Sequence, residues 1–238
     1  MTNQDHADQD ARLAGLIAAE DRAFALLEAI EARGIVRPGR TEKDVEKDIL
    51  ALAESDFGVE QHWHKRIVRA GINTLAVFAE NPPVRVIGND DVVFLDLGPV
   101  FDDWEADVGK TYAFGDDPKK HALVAELPRQ FALIKAKLDA EPDITGADLY
   151  RHAVEGATAA GWTFGGAIAG HIVAEFPHAR LPGERQIHHI SAENPFPLSA
   201  PDPLGRARHW IIEVHLVAPD GSFGGFYERL AHGPNRER

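Results

Sequence analysis

The hydrophobic positions of the chain first follow a helical spacing and then a strand spacing. From residue 11 the apolar side chains recur every three to four residues until Gly34, which can end the helix. Thr41 can then cap a second helix that ends near Gly58. We expect residues 1–10 to be a disordered N-terminus. The strand-like segments that follow are 66–70, 92–99 and 105–114.

The second half of the chain repeats this order of elements. A helix is predicted from Asp116-Asp117-Pro118 to about residue 138, and Pro128 inside it should kink or break it. Thr145 can cap a fourth helix that ends at Gly161, and the Pro-rich stretch 194–203 is predicted to be a loop. The remaining strand candidates are 187–191, 210–218 and 223–231.

Two segments of the chain share a helix-start pattern. TEKDVEKDILALAESDFG and TGADLYRHAVEGATAAGW both read T-x-x-D followed by Val or Leu, and each runs to a glycine. The pattern is common because it caps helices, but here each copy lies between a long helix and a group of strands. The sequence therefore predicts an α+β protein with two similar helix–helix–sheet halves, forming a single domain over residues 11–238.

Composition and charge exclude several classes of function. The chain has 44% hydrophobic and 26% charged residues and lacks any apolar run of the ~18 residues that suggest a membrane span. It has no cysteine, which excludes disulfides, thiolate catalysis and cysteine-bound zinc. The formal net charge of -13 argues against nucleic acid or an anionic membrane as a partner. The polar, acidic start is unlike a secretory signal, so we expect a cytoplasmic protein.

Several acidic side chains lie where a core should be apolar. Each could be structural by itself: an acid can form a turn or an ion pair, and a histidine can belong to the core. A buried carboxylate is costly, however, unless it is paired or binds a metal. Four carboxylates and one imidazole would suit Mn, Fe, Co or Zn, and their charge would match two divalent cations. The candidates are Asp96, Asp107, His171, Glu213 and Glu228.

The order and spacing of these residues resemble the pita-bread metallopeptidases, which include methionine aminopeptidase, aminopeptidase P, prolidase and creatinase. The resemblance rests first on a D-x-G strand at Asp96 and a second acid at Asp107. It rests also on a Gly-His pair at His171, with His178 seven residues later, and on glutamates in the last two strands. The resemblance implies the pita-bread fold, two pseudo-symmetric halves around a dinuclear metal site. It also implies a metallohydrolase of the M24 type that uses a metal-bridging hydroxide, most simply an Xaa-Pro aminopeptidase or dipeptidase.

The resemblance also implies a role for each site residue. Asp96 would bind one metal ion, and Asp107 and Glu228 would bridge both ions. His171 and Glu213 would bind the second ion. His178 would lie beside the substrate and stabilise the tetrahedral intermediate. The two ions would be divalent, with Mn, Zn, Co and Fe all open.

The chain departs from the family pattern at three places. The family has another histidine about 18 residues before the first aspartate, where this chain has Phe78. His62 and His64 could replace it, although the HWH segment could equally be a surface edge strand. The D-x-T-R-T motif is absent after Asp107. Glu213 is followed by Val and His rather than Pro, so His215 could face the same site or be an ordinary strand histidine.

These departures keep other functions open. A non-peptidase enzyme of this fold could act on a small molecule, as a creatinase-like C–N hydrolase or lyase. A binding protein that retained only the fold is a further alternative, although it would not need all five ligands. The expected partner is a peptide or small-molecule substrate, and a homodimer is left open. With only about 90 residues before Asp96, we expect the short form without the N-terminal domain of prolidase-like relatives.

Overall fold

The computed structural model describes residues 3–178 and 185–232. Within these residues the chain forms α-helices and β-strands that follow one another in two similar series. The helices are Asn3–Ala32 (α1), Glu42–Phe57 (α2), Pro118–Ala140 (α3) and Gly146–Ala159 (α4). The strands are Ile67–Ala70 (β1), Val92–Leu97 (β2), Val100–Phe101 (β3), Trp104–Glu105 (β4), Val108–Ala113 (β5), Thr163–Phe164 (β6), Gly170–Val173 (β7), His209–Val217 (β8) and Gly224–Leu230 (β9). None of the described helices combines the length and apolar character needed to cross a membrane.

One antiparallel sheet joins the two halves of the molecule. Its strand order is β1-β2-β5-β9-β8-β6, and β7 pairs with β8 beside this path. The strand pairing that joins the halves within this sheet is that of β5 with β9, where Gly109 lies opposite Glu228. The short hairpin β3–β4 forms a separate two-stranded sheet. The central strands of the large sheet therefore come from both halves.

Each half buries its own pair of helices against its own strands. In the first half α1 and α2 contribute Leu26 and Ile49 to a core that includes Leu95 of β2. In the second half the core contains Leu149 of α4 and Ile212 of β8, together with α3. The predicted arrangement of helix, helix and sheet, occurring twice, is confirmed.

The two T-x-x-D segments begin helices as predicted. The Thr41 hydroxyl accepts a hydrogen bond from the Asp44 backbone N–H at 3.0 Å, and Thr145 accepts one from Asp148 at the same distance. Each threonine in turn donates its hydroxyl to the aspartate side chain. The bond from each aspartate N–H satisfies a backbone donor that the first turn of a helix cannot satisfy internally, and the side-chain bond holds the threonine hydroxyl in place.

The structure differs from the sequence predictions about local structure at three places. Helix α3 continues through Pro128, because its buried face, including Phe131 and Ile134, packs on the second core and outweighs the lost backbone bond. Residues 187–191 do not form a strand. A 3₁₀ helix, Arg185–His188, takes its first two residues, and His189 makes only an isolated bridge with His171.

The third difference concerns the N-terminus. Helix α1 already begins at Asn3, whereas we expected disorder over residues 1–10, of which residues 1 and 2 lie outside the described part. Arg12 and Gln9 fix this first part of the helix. Arg12 pairs with Glu175 at 2.8 Å, and the Gln9 side chain accepts a bond from the Ala207 backbone N–H.

Candidate metal centre

The pairing register of the sheet places three carboxylates in one row. Asp96 of β2 lies opposite Gly109 of β5, Gly109 opposite Glu228 of β9, and Glu228 opposite Glu213 of β8. Residues directly opposite each other in a sheet project from the same face, so the three carboxylates share that face. A side-chain carbon at position 109 would lie 2.7 Å from the Phe226 ring and 3.0 Å from Glu228 Cβ, so glycine is needed in the middle of the row.

Asp107 and His171 complete the group of predicted ligands. Asp107 directly precedes β5, and His171 projects from β7, where it lies opposite Ile211 of β8. The His171 Nε2 atom lies 3.0 Å from Asp107 Oδ2 and 3.6 Å from the nearest oxygens of both Glu213 and Glu228. The structure therefore brings all five predicted metal ligands together.

Two overlapping sets of side chains have a geometry that could hold a metal ion. One set is Asp107, His171 and Glu228, and the other is His64, Asp96 and Asp107. Within each set the ligand atoms lie within 4.8 Å of one another. Asp107 belongs to both sets, as expected of a carboxylate between two ions. His64, predicted only as a catalytic residue, lies in the second set.

Burial strongly perturbs the carboxyl groups of this site. Burial, reinforced by Asp107 despite the opposing His64, raises the pKa of Asp96 to about 6. Burial likewise raises the pKa of Glu213 to about 7 and the pKa of Glu228 well above its ordinary range. A desolvated carboxylate favours its neutral form, and neighbouring carboxylates add to that preference. The row of acids is therefore unfavourable unless positive charge lies beside it.

The two histidines supply positive charge in the metal-free protein. Burial opposes their protonation, but the carboxylates outweigh it. Asp96 and Asp107 raise the pKa of His64 to about 9, and Asp107 with Glu228 raises the pKa of His171 well above its ordinary value. Conversely, although burial acts to raise it, the nearby imidazoles hold the pKa of Asp107 well below its usual range. Protons thus occupy places where cations could bind.

The site has the donor set that divalent metal ions require. Glu228 Oε2 is buried and has no hydrogen-bond partner among residues 3–178 and 185–232, so an acceptor is left unsatisfied inside the cluster. Such orphan atoms are costly and point to a missing partner. Carboxylate oxygens with imidazole nitrogens suit Mn, Fe, Co and Zn. The residues present therefore fit a metal centre.

His178 lies beside the cluster and is held by an acid that sequence reasoning missed. Its Nδ1 atom lies 2.6 Å from one oxygen of Glu105, and its backbone N–H donates to the other oxygen at 2.8 Å. The side chain of Glu105 is only 1% exposed. The His178 ring stacks on that of His171, with ring centres 5.9 Å apart. Glu105 lies two residues before Asp107 in a strand-like segment, and that spacing was the available signal.

Trp63 is the second residue that the sequence analysis did not single out. Its ring makes edge contacts with three histidines, with ring centres 4.3 Å from His64, 5.2 Å from His171 and 4.8 Å from His178. Its indole N–H donates to the Ala106 carbonyl at 3.0 Å. Trp63 thus packs against histidine rings from both halves of the molecule. The HWH segment therefore turns inward instead of forming a surface strand.

Two other predicted catalytic histidines lie outside the metal-binding sets. His215 is on the same sheet face as Glu213, but its Nε2 atom bonds to the Thr74 carbonyl at 2.8 Å. Both ring nitrogens of His62 are buried without a hydrogen-bond partner among the described residues, and burial together with Arg66 lowers its pKa to about 4. Neither ring belongs to the two sets that could hold a metal ion.

Phe78 lies at the edge of the site. Its ring centre is 5.8 Å from that of His64 and 4.9 Å from the Lys65 ammonium group. Phe78 is 53% exposed, which is unusual for so large an apolar side chain. An apolar ring therefore stands beside His64, at the position where the resemblance gives a histidine.

Comparison with known proteins identifies the family. The profile of metallopeptidase family M24 matches residues 14–223. A comparison with curated protein sequences gives no match. Similar solved structures include the X-Pro aminopeptidase of Thermotoga maritima, at TM-score 0.70 and 19% identity, covering 95% of this chain and 62% of that one.

Two further structures extend the comparison. A dipeptidase of Mycobacterium ulcerans has a TM-score of 0.66 at 24% identity, over 91% of this chain and 55% of that one. The methionine aminopeptidase of Rickettsia prowazekii has a TM-score of 0.68 at 15% identity, over 97% of this chain and 93% of that one. The chain thus spans only about 55–62% of the first two proteins.

The fold and the family predicted from the sequence are confirmed. The two helix–helix–sheet halves form the pita-bread fold, and the buried His, Asp and Glu side chains occupy the middle of its sheet. With a family match over most of its length, the chain belongs to metallopeptidase family M24.

Proposed function

We propose that this protein is a dinuclear metallopeptidase that removes the N-terminal residue from peptides, with Xaa-Pro substrates as the first class to test. The observation that carries the proposal is the Asp107 carboxylate, which lies between two sets of possible ligands. His171 contacts it, and Asp96, Glu213 and Glu228 each lie close to one of the two imidazoles that face it. A single ion would leave one of the two sets, and its buried carboxylates, without a cation.

The remaining side chains suit hydrolysis of an acyl bond. Two divalent cations, when bound, would supply an activated water and a Lewis acid for the carbonyl oxygen. Since Glu105 accepts the bond from His178 Nδ1, the Nε2 atom of that ring is left to meet a substrate. When both ring nitrogens carry a proton, His178 donates Nδ1–H to Glu105 and Nε2–H to an oxygen that becomes negative during attack. Glu105 acts through His178 as a positioning residue.

The specificity for Xaa-Pro rests on the resemblance of the sequence and on likeness in fold. Several solved structures similar to the chain are named as X-Pro aminopeptidase or as prolidase, and these similarities cover 95% and 96% of the chain. At 18–19% identity they support the fold and leave the substrate to experiment.

The test combines metal analysis with a substrate panel. Purified protein is stripped with a chelator, reloaded separately with Mn, Co, Zn or Fe(II), and analysed for metal per chain. Each form is then assayed on Xaa-Pro dipeptides, longer Xaa-Pro peptides and N-terminal Met peptides, with the stripped protein as control. We expect two ions per chain and metal-dependent release of the residue before proline. Absence of metal binding, or cleavage that is independent of metal, would contradict the proposal.

A second candidate is a non-peptidase enzyme of the same fold acting on a small molecule. The observation that favours it is Phe78, which presents an apolar ring beside His64. A protonatable group at that place would contribute roughly 10²- to 10⁴-fold to a hydrolysis that needed it. The panel therefore includes small amidino compounds. Metal-dependent turnover of these without peptide cleavage would favour this candidate, and bound metal without any turnover would favour a binding protein.

A further inference from the structure

The Asp107 carboxylate is approached by an imidazole on each side. His171 Nε2 lies 3.0 Å from Asp107 Oδ2, and His64 Nε2 lies 3.2 Å from Asp107 Oδ1. His64 Nε2 is also 3.4 Å from Asp96 Oδ1. Each oxygen of Asp107 thus faces one ring nitrogen. The ligands that the sequence resemblance supplies include only His171 among these rings.

The second ring nitrogen is engaged in the same way in both histidines. His64 Nδ1 lies 2.6 Å from the carbonyl of Lys65, the next residue, and His171 Nδ1 lies 2.7 Å from the carbonyl of Ile172. A carbonyl only accepts hydrogen bonds, so Nδ1 carries the proton in both rings. In the neutral ring the lone pair is then on Nε2, the atom that faces the carboxylates. A backbone carbonyl on one ring nitrogen is a common support for a histidine that binds a metal through the other.

The fold makes room for His64 at this place. A side-chain carbon at Gly98 would lie 2.3 Å from His64 Nε2, so the glycine of the D-x-G strand is required for the ring to reach the acids. The Trp63 backbone N–H donates to the Gly98 carbonyl at 2.9 Å, which ties the His64 segment to the end of β2. The His64 side chain is only 5% exposed.

This position is unsuited to a general acid–base residue acting on substrate. Such a group needs a nitrogen within hydrogen-bond reach of the substrate. The Nε2 atom of His64 faces Asp96 and Asp107, and its Nδ1 atom is occupied by the Lys65 carbonyl. Both nitrogens are therefore committed within the protein.

We propose that His64 Nε2 is a direct ligand of the metal ion bound by Asp96 and Asp107, so that each ion of the pair has one imidazole ligand. The proposal rests on the dinuclear centre of the proposed function. It adds a nitrogen donor to an ion otherwise bound by oxygen alone. Nitrogen donors shift preference from Mn towards Co, Zn or Fe(II).

The first experiment counts imidazoles in the wild-type protein, so it needs no variant. X-ray absorption at the cobalt edge of protein loaded with two Co(II) ions should give an average of one imidazole nitrogen per cobalt. An average of one half, which His171 alone would supply, overturns the proposal while leaving the dinuclear centre intact. Failure of the wild-type protein to bind two ions would instead refute the proposed function.

The second experiment compares His64→Ala with His62→Ala. His62 is in the same segment and its ring nitrogens are also buried, but it belongs to neither metal-binding set, so it is a matched control. Titration of Co(II) or Zn(II) against a competing chelator should show one ion bound at least about tenfold more weakly in His64→Ala, since even indirect support is worth 10- to 100-fold. The other ion and the His62→Ala protein should bind as wild type. If His64→Ala is folded, as verified by circular dichroism, and binds both ions with the affinity of the wild-type protein, the proposal is overturned.

Discussion

The two halves of the molecule bring a histidine to the same carboxylate by different means. His171 is on β7, whose backbone pairs with β8 from residue 170 to residue 173. His64 lies between α2 and β1, where pairing is limited to a bridge of His62 with Pro99 and a few bonds to the end of β2. Backbone hydrogen bonds between β7 and β8 fix the His171 ring. Space left by Gly98 and contact with Trp63 fix the His64 ring.

The difference shows which part of the site tolerates change. The strand side is redundant, because several backbone bonds would have to break before His171 moved. The loop side depends on Gly98 and Trp63, since a single added carbon at Gly98 would collide with the His64 ring. The position of the His64 ring should therefore be more sensitive to substitution than the position of the His171 ring. The predictions that follow test this contrast, from the largest expected effect to the smallest.

Removal of the residue that both halves share should have the largest effect. Asp107→Asn takes away a charge between the two sets of ligands, so activity should fall at least about 100-fold, as expected for a direct ligand. Binding at 100 times the dissociation constant stabilises a protein by about 2.7 kcal/mol. Metal should therefore raise the melting temperature of wild type by about 5–10 °C and that of the variant far less.

The control for this prediction is Asp103→Asn, in the exposed turn between β3 and β4. Asp103 has a φ of 66°, a conformation that asparagine also adopts readily. Thermal unfolding at pH 7.5 with and without Mn or Zn, after chelation, is the measurement. A wild-type melting temperature that is indifferent to metal would contradict the dinuclear centre and favour a binding protein.

The next largest effect is expected for the Glu105–His178 pair, which joins the two halves beside the metal site. His178→Ala should lower turnover by about 100-fold or more while metal content stays unchanged, because His178 is placed to meet substrate. Glu105→Gln should have a smaller effect of about tenfold, because glutamine retains one of the two acceptor oxygens that His178 uses. Elemental analysis alongside steady-state kinetics distinguishes the outcomes. Loss of metal from His178→Ala would mean that His178 is itself a ligand.

Substitution of Phe78, which lies beside His64 at the edge of the site, should have an intermediate effect on turnover. We expect wild-type protein to turn over N-terminal Met peptides far below about 10 per second. Phe78→His restores an imidazole beside His64 and should raise that rate on the order of tenfold, with Phe78→Ala as the control for loss of bulk. Fast Met-peptide turnover by the wild type would show that an apolar ring at this position is no obstacle.

The smallest expected effect is the pH dependence of the metal-free protein. The pKa of His64 is raised from its ordinary 6.5 to about 9, so its stabilisation is fully present below pH 6.5 and is lost as pH rises through 9. Raising the pH from 7 to 9 should therefore lower the melting temperature of chelated wild-type protein by on the order of 5 °C. Metal-loaded protein should lose less, because cations replace the protons.

His64→Ala shows whether this pH dependence comes from the first half of the site. Its chelated form should lose clearly less stability than wild type between pH 7 and 9, while His62→Ala should follow wild type. The pKa of His62 is lowered to about 4, so its ring is uncharged throughout this range. Equal pH dependence in His64→Ala and wild type would assign the effect to His171 or to other groups.

The sequence by itself determined the features that local chemistry and periodicity encode. The capping threonines Thr41 and Thr145 determine where two helices start, because their hydroxyls satisfy backbone donors within the same turn. The apolar period gives the central strands, and acids inside such strands can persist only beside positive charge. The apolar neighbours of Asp96, Glu213 and Glu228 marked these acids as candidates, and the order and spacing of the whole set, which resemble the family pattern, grouped them into one predicted site.

Tertiary structure decided everything that depends on contacts between distant segments. Pro128 breaks an isolated helix, but packing on the second core keeps α3 continuous. The Glu105–His178 pair joins residues that are 73 positions apart, and the path of the HWH segment depends on space left by Gly98. His62, His64 and His215 were equivalent candidates in sequence. Only His64 reaches the carboxylates, because loop geometry and steric room, rather than residue type, determine which ring enters the site.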